Sequence, residues 1–332
     1  MIQNLNGDAT SGAMHYAISE NGTLAYIPGL SEGENRKLIR INFDGTIDPL
    51  DAPVQAYIEP RISPDGKKIA MVVGSGKDFD IWTYELANGN MTRLTFGGIN
   101  RTPNWSPDNK SIAYYSYNDG ESFIKIKQAN GSGGDRTLYS QKSRLYIDSW
   151  SPDGSLLVVD GYFGSQQSGL SVIKVEDPKE LETYINTDAD EYMGDLSPDG
   201  KWLAYVSNET GPYEVYIQTF PEKGGKWQIS LNSGLEPHWS ADGKKLFFTS
   251  GNKIIEVPIE IKDGALIPGK QTVVSENYSF LPVDSGISYD VSPVADYFIA
   301  TQPASISSFK KVQVIVNWFS EVQKMLQQDN QN

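Results

Sequence analysis

Two histidines are the first candidates for chemistry, because one of them lies beside a carboxylate. His238 follows Glu236 with one residue between them, so an extended strand would place the imidazole and the carboxylate on the same face. Imidazole nitrogen and carboxylate oxygen together suit a divalent metal ion with mixed ligands. The other histidine is His15. Cysteine is absent, which excludes thiolate catalysis and zinc sites of the cysteine type.

Both histidines stand shortly before a turn that recurs along the chain. Its clear form is Ser-Pro-Asp-Gly, and its first residues, here called the turn serines, are Ser19, Ser63, Ser106, Ser151, Ser197, Ser240 and Ser292. Successive turn serines are 43 to 46 residues apart, except for a last step of 52 residues. Pro presets φ and Gly supplies a positive φ, so each copy predicts a tight hairpin. The recurrence predicts a repeat protein.

The segments around each turn have the pattern of β-strands. Apolar runs such as residues 68–72 follow the turn, and a third and a fourth strand are predicted at residues 80–84 and 91–95. Four strands in about 44 residues are typical of a β-propeller blade. We therefore predict an all-β propeller. Seven turn serines favour seven blades, with six as the alternative.

The two ends of the chain decide this count. The Ser19 hairpin is expected to make a full blade with residues 37–43 and 46–50. The Ser292 copy has three predicted strands, at residues 288–291, 297–301 and 313–316, and residues 2–5 are expected to close the ring as its fourth strand. The propeller is thus predicted to span residues 1–317. A short C-terminal helix in residues 318–332, beginning after Asn317, is expected to pack on the propeller's outer edge or to bind a partner.

The strand that leads into each turn is expected to line the central channel. Residues directly before the turn serines are all apolar and are predicted to face the core between blades. Residues two before the turn serines should then face the channel: Ala17, Arg61, Asn104, Ser149, Asp195, His238 and Asp290. Residues four before should share that face: His15, Glu59, Thr102, Ile147, Met193, Glu236 and Ser288. Both histidines therefore fall on predicted channel positions.

This convergence gives a predicted ligand-binding site at the channel mouth. Its members are Arg61, Asn104, Asp195, His238 and Asp290, with Glu59, Glu236 and His15 one step along the channel. Three interpretations stay open: a divalent-metal site, a polar lining that pairs internally around water, and a site for a small ligand or peptide. Exposed aromatic residues in loops between strands offer a second place for a carbohydrate or protein partner to stack, namely Tyr117, Tyr162, Phe163, Tyr192 and Tyr213.

Composition limits the partners. The formal net charge of the 332-residue chain is −14 and its pI is about 4.6, so a nucleic-acid partner is not expected. No apolar run reaches the ~18 residues of a membrane-spanning helix, and residues 1–12 lack the pattern of a secretory signal. We expect a monomer with no membrane insertion and no cofactor.

The turn and its flanks also carry a family resemblance. Ser-Pro-Asp-Gly-Lys followed by Ile or Leu-Ala-Tyr resembles the TolB-type, WD-repeat-like propeller repeat, over residues 13–301. Residues 214–221, 225–230 and 316–319 are similar to propellers attached to bacterial serine/threonine kinases, and the repeat also resembles the propeller of prolyl-oligopeptidase-like enzymes. The resemblance implies a module that binds partners or ligands, and it favours a periplasmic or extracellular location.

Catalytic motifs of those relatives are not expected in this chain. The kinase triplets His-Arg-Asp and Asp-Phe-Gly do not occur, and neither histidine lies in a late hydrolase-like block. The sequence therefore favours a non-catalytic binding propeller, as a sensor or interaction module. A metal-dependent channel enzyme of the lactonase or lyase kind is the alternative, and a purely structural scaffold is a third reading.

Overall fold

A computed structural model describes most of the chain. The described residues are 7–8, 13–14, 16–26, 35–75, 78–163, 167–179, 181–276, 286–304 and 313–319. His15, residues 2–5 and residues 320–332, on which parts of the sequence prediction fall, lie outside them.

The described residues form thirty β-strands, most of them in four-stranded antiparallel blades. The first two blades are joined into one eight-stranded sheet by a parallel pairing of Ile99 with Phe79. Blade 1 contains β7 (Tyr57–Ile62), β8 (Lys68–Ser75), β9 (Asp78–Glu85) and β10 (Met91–Arg93). Blade 2 contains β11 (Ile99–Trp105), β12 (Ser111–Asn118), β13 (Glu121–Gln128) and β14 (Arg136–Gln141). Blade 3 contains β15 (Leu145–Trp150), β16 (Leu156–Gly161), β17 (Gly169–Lys174) and β18 (Leu181–Ile185). Blade 4 contains β19 (Glu191–Leu196), β20 (Trp202–Ser207), β21 (Glu214–Thr219) and β22 (Lys226–Gln228).

The remaining sheets are less regular. Blade 5 contains β23 (Leu235–Trp239), β24 (Lys245–Ser250), the long β25 (Lys253–Lys262), β26 (Ala265–Pro268) and β27 (Thr272–Ser275). Blade 6 joins β28 (Tyr289–Val291) and β29 (Tyr297–Pro303) to β5 (Arg36–Asn42) and β6 (Ile47–Pro49). A small sheet contains β3 (Tyr16–Ile18), β4 (Leu24–Tyr26) and β30 (Gln313–Ile315), and β1 (Gly7–Asp8) pairs with β2 (Ala13–Met14).

The innermost strands make a closed ring of six sheets. Each of β7, β11, β15, β19, β23 and β28 packs against the next, and β28 packs against β7. The all-β propeller is thereby confirmed, but the count of seven blades is not, and the described ring corresponds to the six-bladed alternative.

The ends of the chain combine differently from the sequence prediction. Residues 36–42 pair with Tyr297–Pro303 in blade 6, so their assignment to the Ser19 hairpin is wrong. The Ser19 hairpin instead pairs with Gln313–Ile315, which the sequence prediction had placed in the Ser292 blade. The physical reason is that an edge strand accepts any partner with the right register, and the turn pattern carries no information about that partner.

The recurring turns have the geometry that their residues predict. In the first full copy the Ser63 hydroxyl donates to Asp65 at 2.7 Å, the Lys67 N–H donates to the same carboxylate oxygen at 3.1 Å, and Gly66 has a φ of 69°. The hydroxyl-to-carboxylate bond recurs at Ser106, Ser151, Ser197 and Ser240. These turns all lie at the same end of the inner strands, on what we call the turn face. The opposite side is the loop face.

The core lies between neighbouring blades. Trp105 and Trp239, each directly before a turn serine, are buried there. Their indole N–H groups donate to the backbone carbonyls of Arg61 and Asp195, at 3.0 and 3.2 Å, in the preceding blade. Trp150 occupies the same repeat position but is only half-buried, and its indole donates to Gly154 in its own turn. Buried indoles thus link some neighbouring blades through hydrogen bonds.

The small sheet carries the first turn serine and the start of the C-terminal segment. Ile18, predicted to be in the core between blades, is exposed there. The Trp318 N–H donates to the carbonyl of Gly22 at 2.7 Å. Only the beginning of the predicted C-terminal helix, at Trp318 and Phe319, falls within the described residues. No helix in the described part of the chain is long and apolar enough to cross a membrane.

Candidate functional site

The inner strands do not keep a simple alternation of faces. In five of them the pairing with the second strand shifts register a few residues before the turn, which marks a β-bulge. The residues four before the turn serine have a positive φ in four of these strands, with values of 53°, 49°, 56° and 52° at Glu59, Thr102, Met193 and Glu236. The bulge turns their side chains away from the direction that alternation predicts.

Glu59 and Glu236 are therefore buried between blades, where the sequence placed them along the channel. Glu59 accepts a hydrogen bond from the N–H of Thr102 in blade 2 and forms an ion pair with Arg101 at 2.8 Å. Glu236 accepts bonds from the N–H and hydroxyl of Ser288, at 3.0 and 2.6 Å. Both carboxylates tie one inner strand to the next.

Side chains two residues before the turn serine do converge on the propeller axis. The Arg61 guanidinium lies 3.5 Å from Asp290 Oδ1 and 3.4 Å from His238 Nδ1. It also donates to the backbone carbonyl of Asp148 at 3.4 Å. Asp195 Oδ2 lies 3.7 Å from His238 Nδ1. These side chains are contributed by four different blades.

The same group is anchored to the backbone. Asp290 accepts the N–H of Ile62 at 2.6 Å, and Asp195 accepts the N–H of Trp239 at 2.9 Å. The Asn104 amide donates to the carbonyl of Asp148 at 2.9 Å. We call the set of side chains Arg61, Asn104, Asp195, His238 and Asp290, with the Asp148 carbonyl, the axial cluster. Each of the six blades contributes one residue to it.

Burial governs the electrostatics of the axial cluster. It raises the pKa of Asp290, against the opposing effect of the Arg61 charge. Burial likewise raises the pKa of Glu236, although its bonds from Ser288 act in the other direction. Arg61, Asp195 and Asp290 nevertheless keep 11%, 22% and 15% of their side-chain surface exposed, so solvent reaches them.

A buried acid pair beside the cluster was not singled out from the sequence. Asp148 and Asp160 are bonded to each other, and burial raises the pKa of Asp148 well above its usual value and that of Asp160 to about 6. Asp160 also accepts the N–H of Met193. Ile147 has the position in its repeat that Glu59 and Glu236 have in theirs, but its apolar side chain cannot accept a hydrogen bond. Asp160 therefore makes the link to blade 4 in its place. The signal in the sequence is a carboxylate at the end of an apolar strand, where an unpaired charge would be costly.

The axial cluster does not resemble a metal centre. Among the described residues no three His, Cys, Asp or Glu side chains are arranged so that they could hold a metal ion. The Arg61 guanidinium already contacts Asp290 Oδ1 and His238 Nδ1, the atoms that a metal ion would need as ligands. His15, the remaining member of the predicted site, is outside the described part. What the cluster can do is donate and accept charged hydrogen bonds.

The expectation that hydrolase motifs are absent is wrong in one respect, because the sequence contains one such pattern, in residues that lie outside the described part of the chain. Residues 29–33 read Gly-Leu-Ser-Glu-Gly, which is the spacing of a nucleophile turn. That chemistry requires a histidine as the base. The described His238 is held between Arg61 and Asp195 in the axial cluster.

Comparison with known proteins identifies the type of propeller. Residues 53–192 match the family described as TolB beta propeller domain. The chain is 29% identical over 246 residues to the Tol-Pal system protein TolB of Francisella tularensis subsp. mediasiatica, covering 57% of this chain and 56% of that protein. It is 28% identical over 222 residues to the uncharacterized peptidase YuxL of Bacillus subtilis, covering 52% of this chain and 33% of that protein.

The match thus spans about half or less of the length of these relatives. Among solved structures, the putative TolB from Agrobacterium tumefaciens superimposes with a TM-score of 0.61 at 18% identity, covering 82% of this chain and 99% of that one. TolB from Acinetobacter baumannii gives a TM-score of 0.56 at 21% identity, covering 75% of this chain and 68% of that one. The chain is therefore a β-propeller of the TolB type.

Proposed function

We propose that this chain is a non-catalytic binding propeller, acting as a sensor or interaction module, and that it recognises its ligand at the axial cluster. The observation that carries the proposal is the convergence of five side chains and one backbone carbonyl, from six separate blades, on one partly exposed place. Residues such as Arg61 and His238, 177 positions apart in the sequence, are in contact there. Preformed polar groups of this kind orient a ligand more than they stabilise a fold.

The charges of the cluster favour a cationic group on the ligand. Two carboxylates, Asp195 and Asp290, face a single guanidinium, that of Arg61. Carboxylate acceptors therefore remain available to an ammonium or guanidinium group, such as a lysine or arginine side chain of a protein partner. The net charge of −14 attracts such a partner at long range.

The relatives support a binding role in a larger assembly. One of them is named as a Tol-Pal system protein, and the other as a peptidase of which the matched region is a third. In both cases the matched region is one part of a longer protein. The described axial residues are held in place by one another and by backbone groups, which fits recognition better than chemistry.

Titration calorimetry with three simple probes tests the proposal: 1,5-diaminopentane as a cation, glutarate as an anion and glucose as a neutral polyol. We expect the diamine to bind best, and the substitution Asp195→Asn to weaken it about tenfold, because a charge-assisted bond contributes about 1.5 kcal/mol or more. Asp108→Asn is the matched control, since it removes an exposed turn carboxylate with the same change in charge.

Three results would count against the proposal. One is a failure of all three probes to bind. Another is an equal loss of affinity in Asp195→Asn and Asp108→Asn, which would reveal a general charge effect. The third is a preference for glutarate over the diamine, which would overturn the assignment of the ligand's charge.

A further inference from the structure

Three tyrosines form an exposed aromatic patch on the loop face, where blades 3 and 4 meet. Tyr162 and Tyr213 are 43% and 38% exposed. The rings of Tyr213 and Tyr192 are in edge-to-face contact, with centroids 5.4 Å apart. Burial raises the pKa of Tyr213, and the nearby Asp190 and Tyr162 add to that rise. The three side chains, which we call the aromatic patch, are thus neighbours.

The patch is held in place by hydrogen bonds between two blades. The Tyr213 hydroxyl is bonded to the side chains of Asn208 and Asp190. Asp190 accepts the N–H of Ser168 in blade 3 at 3.0 Å and the Asn208 amide at 3.3 Å. The Asp190 N–H donates to the Asn208 side chain at 2.8 Å. A partner therefore meets a preformed surface and spends little free energy on ordering these loops.

The loops next to Tyr192 and Tyr213 are acidic, whereas Tyr162 lies beside the segment that carries Lys142 and Arg144. Residues 186–190 and 208–213 contain Asp188, Asp190 and Glu209 and neither Lys nor Arg. The donors to Asp190 named above are all neutral, so its negative charge is retained beside the tyrosine rings. Asp188 is exposed to solvent. Glu209 forms an ion pair with Lys226. The patch thus combines aromatic faces with carboxylates.

Such a combination favours a cation over a neutral or anionic group. An ammonium or guanidinium group gains from the face of a tyrosine ring and from the adjacent negative charge. The side chains of Tyr162 and Tyr213 are exposed, and cavities of about 320 and 420 Å³ elsewhere in the described residues are lined by other residues. An exposed surface of this kind suits a protein segment better than an enclosed small molecule.

We propose that the aromatic patch binds a basic segment of a protein partner, with arginine or lysine side chains on Tyr162 and Tyr213 and their charges facing Asp188 and Asp190. This site lies on the face opposite the turns, whereas the axial residues stand two positions before the turns. It is therefore separate from the axial cluster and does not depend on the function proposed for it.

Fluorescence polarisation with a fluorescein-labelled hexaarginine peptide tests the site. We expect the double substitution Tyr162→Ala, Tyr213→Ala to weaken binding about tenfold, because each exposed cation–aromatic contact contributes about 0.5 to 1 kcal/mol. Tyr213→Phe keeps the ring and is expected to keep most of the affinity. Asp188→Asn is expected to weaken binding about threefold, and raised salt to weaken it further.

Two matched controls lie on the loop face outside the patch. Asp119→Asn removes an exposed carboxylate and Phe96→Ala removes an exposed aromatic ring. Both are expected to leave the affinity within twofold of the wild-type value. If they weaken binding as much as the patch variants do, the peptide binds through the overall negative charge of the protein and the proposal is overturned.

The axial cluster provides a last comparison. Asp290→Asn removes a carboxylate that the axial cluster offers to a cation, and it is expected to weaken hexaarginine binding less than the double tyrosine substitution does. If that variant loses the peptide while the tyrosine variants keep it, the cation site is axial, so the aromatic patch is refuted and the first proposal is supported. An unchanged affinity in the double tyrosine variant, with its melting temperature equal to that of the wild type, refutes the patch directly.

Discussion

Replacement of Trp239 by alanine is a sensitive test of how the blades are joined. Trp239 is buried in a cluster with Ala204, Val215 and Leu246 from blades 4 and 5, and its indole donates to the Asp195 carbonyl. Truncation leaves a cavity between the blades and an unpaired carbonyl. Since buried Trp→Ala changes cost about 3 to 5 kcal/mol, we expect Trp239→Ala to lower the free energy of unfolding by about 4 kcal/mol.

Trp150→Ala is the matched comparison, because Trp150 has the same position in its repeat but is half-buried and bonded to its own turn. We expect it to cost about 2 kcal/mol or less. Trp239→Phe keeps most of the apolar volume and should cost about 1 to 2 kcal/mol, chiefly from the lost hydrogen bond. The assay is urea unfolding followed by circular dichroism at 25 °C. If Trp239→Ala and Trp150→Ala lower the free energy of unfolding equally, the buried indoles do not link neighbouring blades as described.

Three further outcomes are expected from the structure. Gly154→Val should destabilise the protein by about 1 to 3 kcal/mol, because Gly154 has a φ of 75°, whereas Gly134→Val, at a site without positive φ and with open space, should be neutral in the same urea assay. Burial raises the pKa of Asp160 from 3.8 to about 6, so between these pH values the native state binds more protons than the unfolded chain. The free energy of unfolding of the wild type should therefore fall as the pH rises from about 4 to about 6. An equally steep fall in Asp160→Asn would contradict this. Glu59→Gln breaks the buried pair with Arg101 and should cost about 3 kcal/mol, and a loss below 1 kcal/mol would show that the pair is not buried as described.

The repeat and its turns were predictable from the sequence because their chemistry is local. Each turn needs a hydroxyl, a carboxylate and a glycine within four residues, and these are adjacent in the chain, as at Ser63, Asp65 and Gly66. The apolar residues directly before the turns were also correctly placed in the core at Trp105 and Trp239. Local rules were therefore enough to identify the fold.

The details of the candidate site depended on a feature that the sequence hides. A bulge with positive φ at Glu59 and Glu236 moves both carboxylates from the channel to the blade interface. Neither residue type signals a left-handed conformation, since glycine and asparagine are the usual markers. The residues two before the turns lie beyond the bulge, and Arg61 and His238 do converge on the axis as predicted.

The predicted count of seven blades was not confirmed, for a different reason. Strand pairing between distant segments depends on which edges remain free after the local hairpins have formed. Residues 36–42 pair with residues 47–49 on one edge, but their partner on the other edge is more than 250 residues away. No turn residue encodes that choice. The seven turn serines count hairpins correctly, while the ring uses only six of them.

The pairing of β5 with β29 in blade 6 has a consequence for how the chain reaches its native state. Until residues 297–303 have left the ribosome, the strand of residues 36–42 has a partner on one edge only, residues 47–49. Its other edge stays unpaired, beside the apolar side chains of Leu38, Ile39 and Ile41. Closing so long a loop is slow compared with forming each hairpin. During synthesis the ring should therefore remain open and be prone to associate with other chains. It should gain its resistance to proteolysis in one late step, when residues 36–42 pair with residues 297–303.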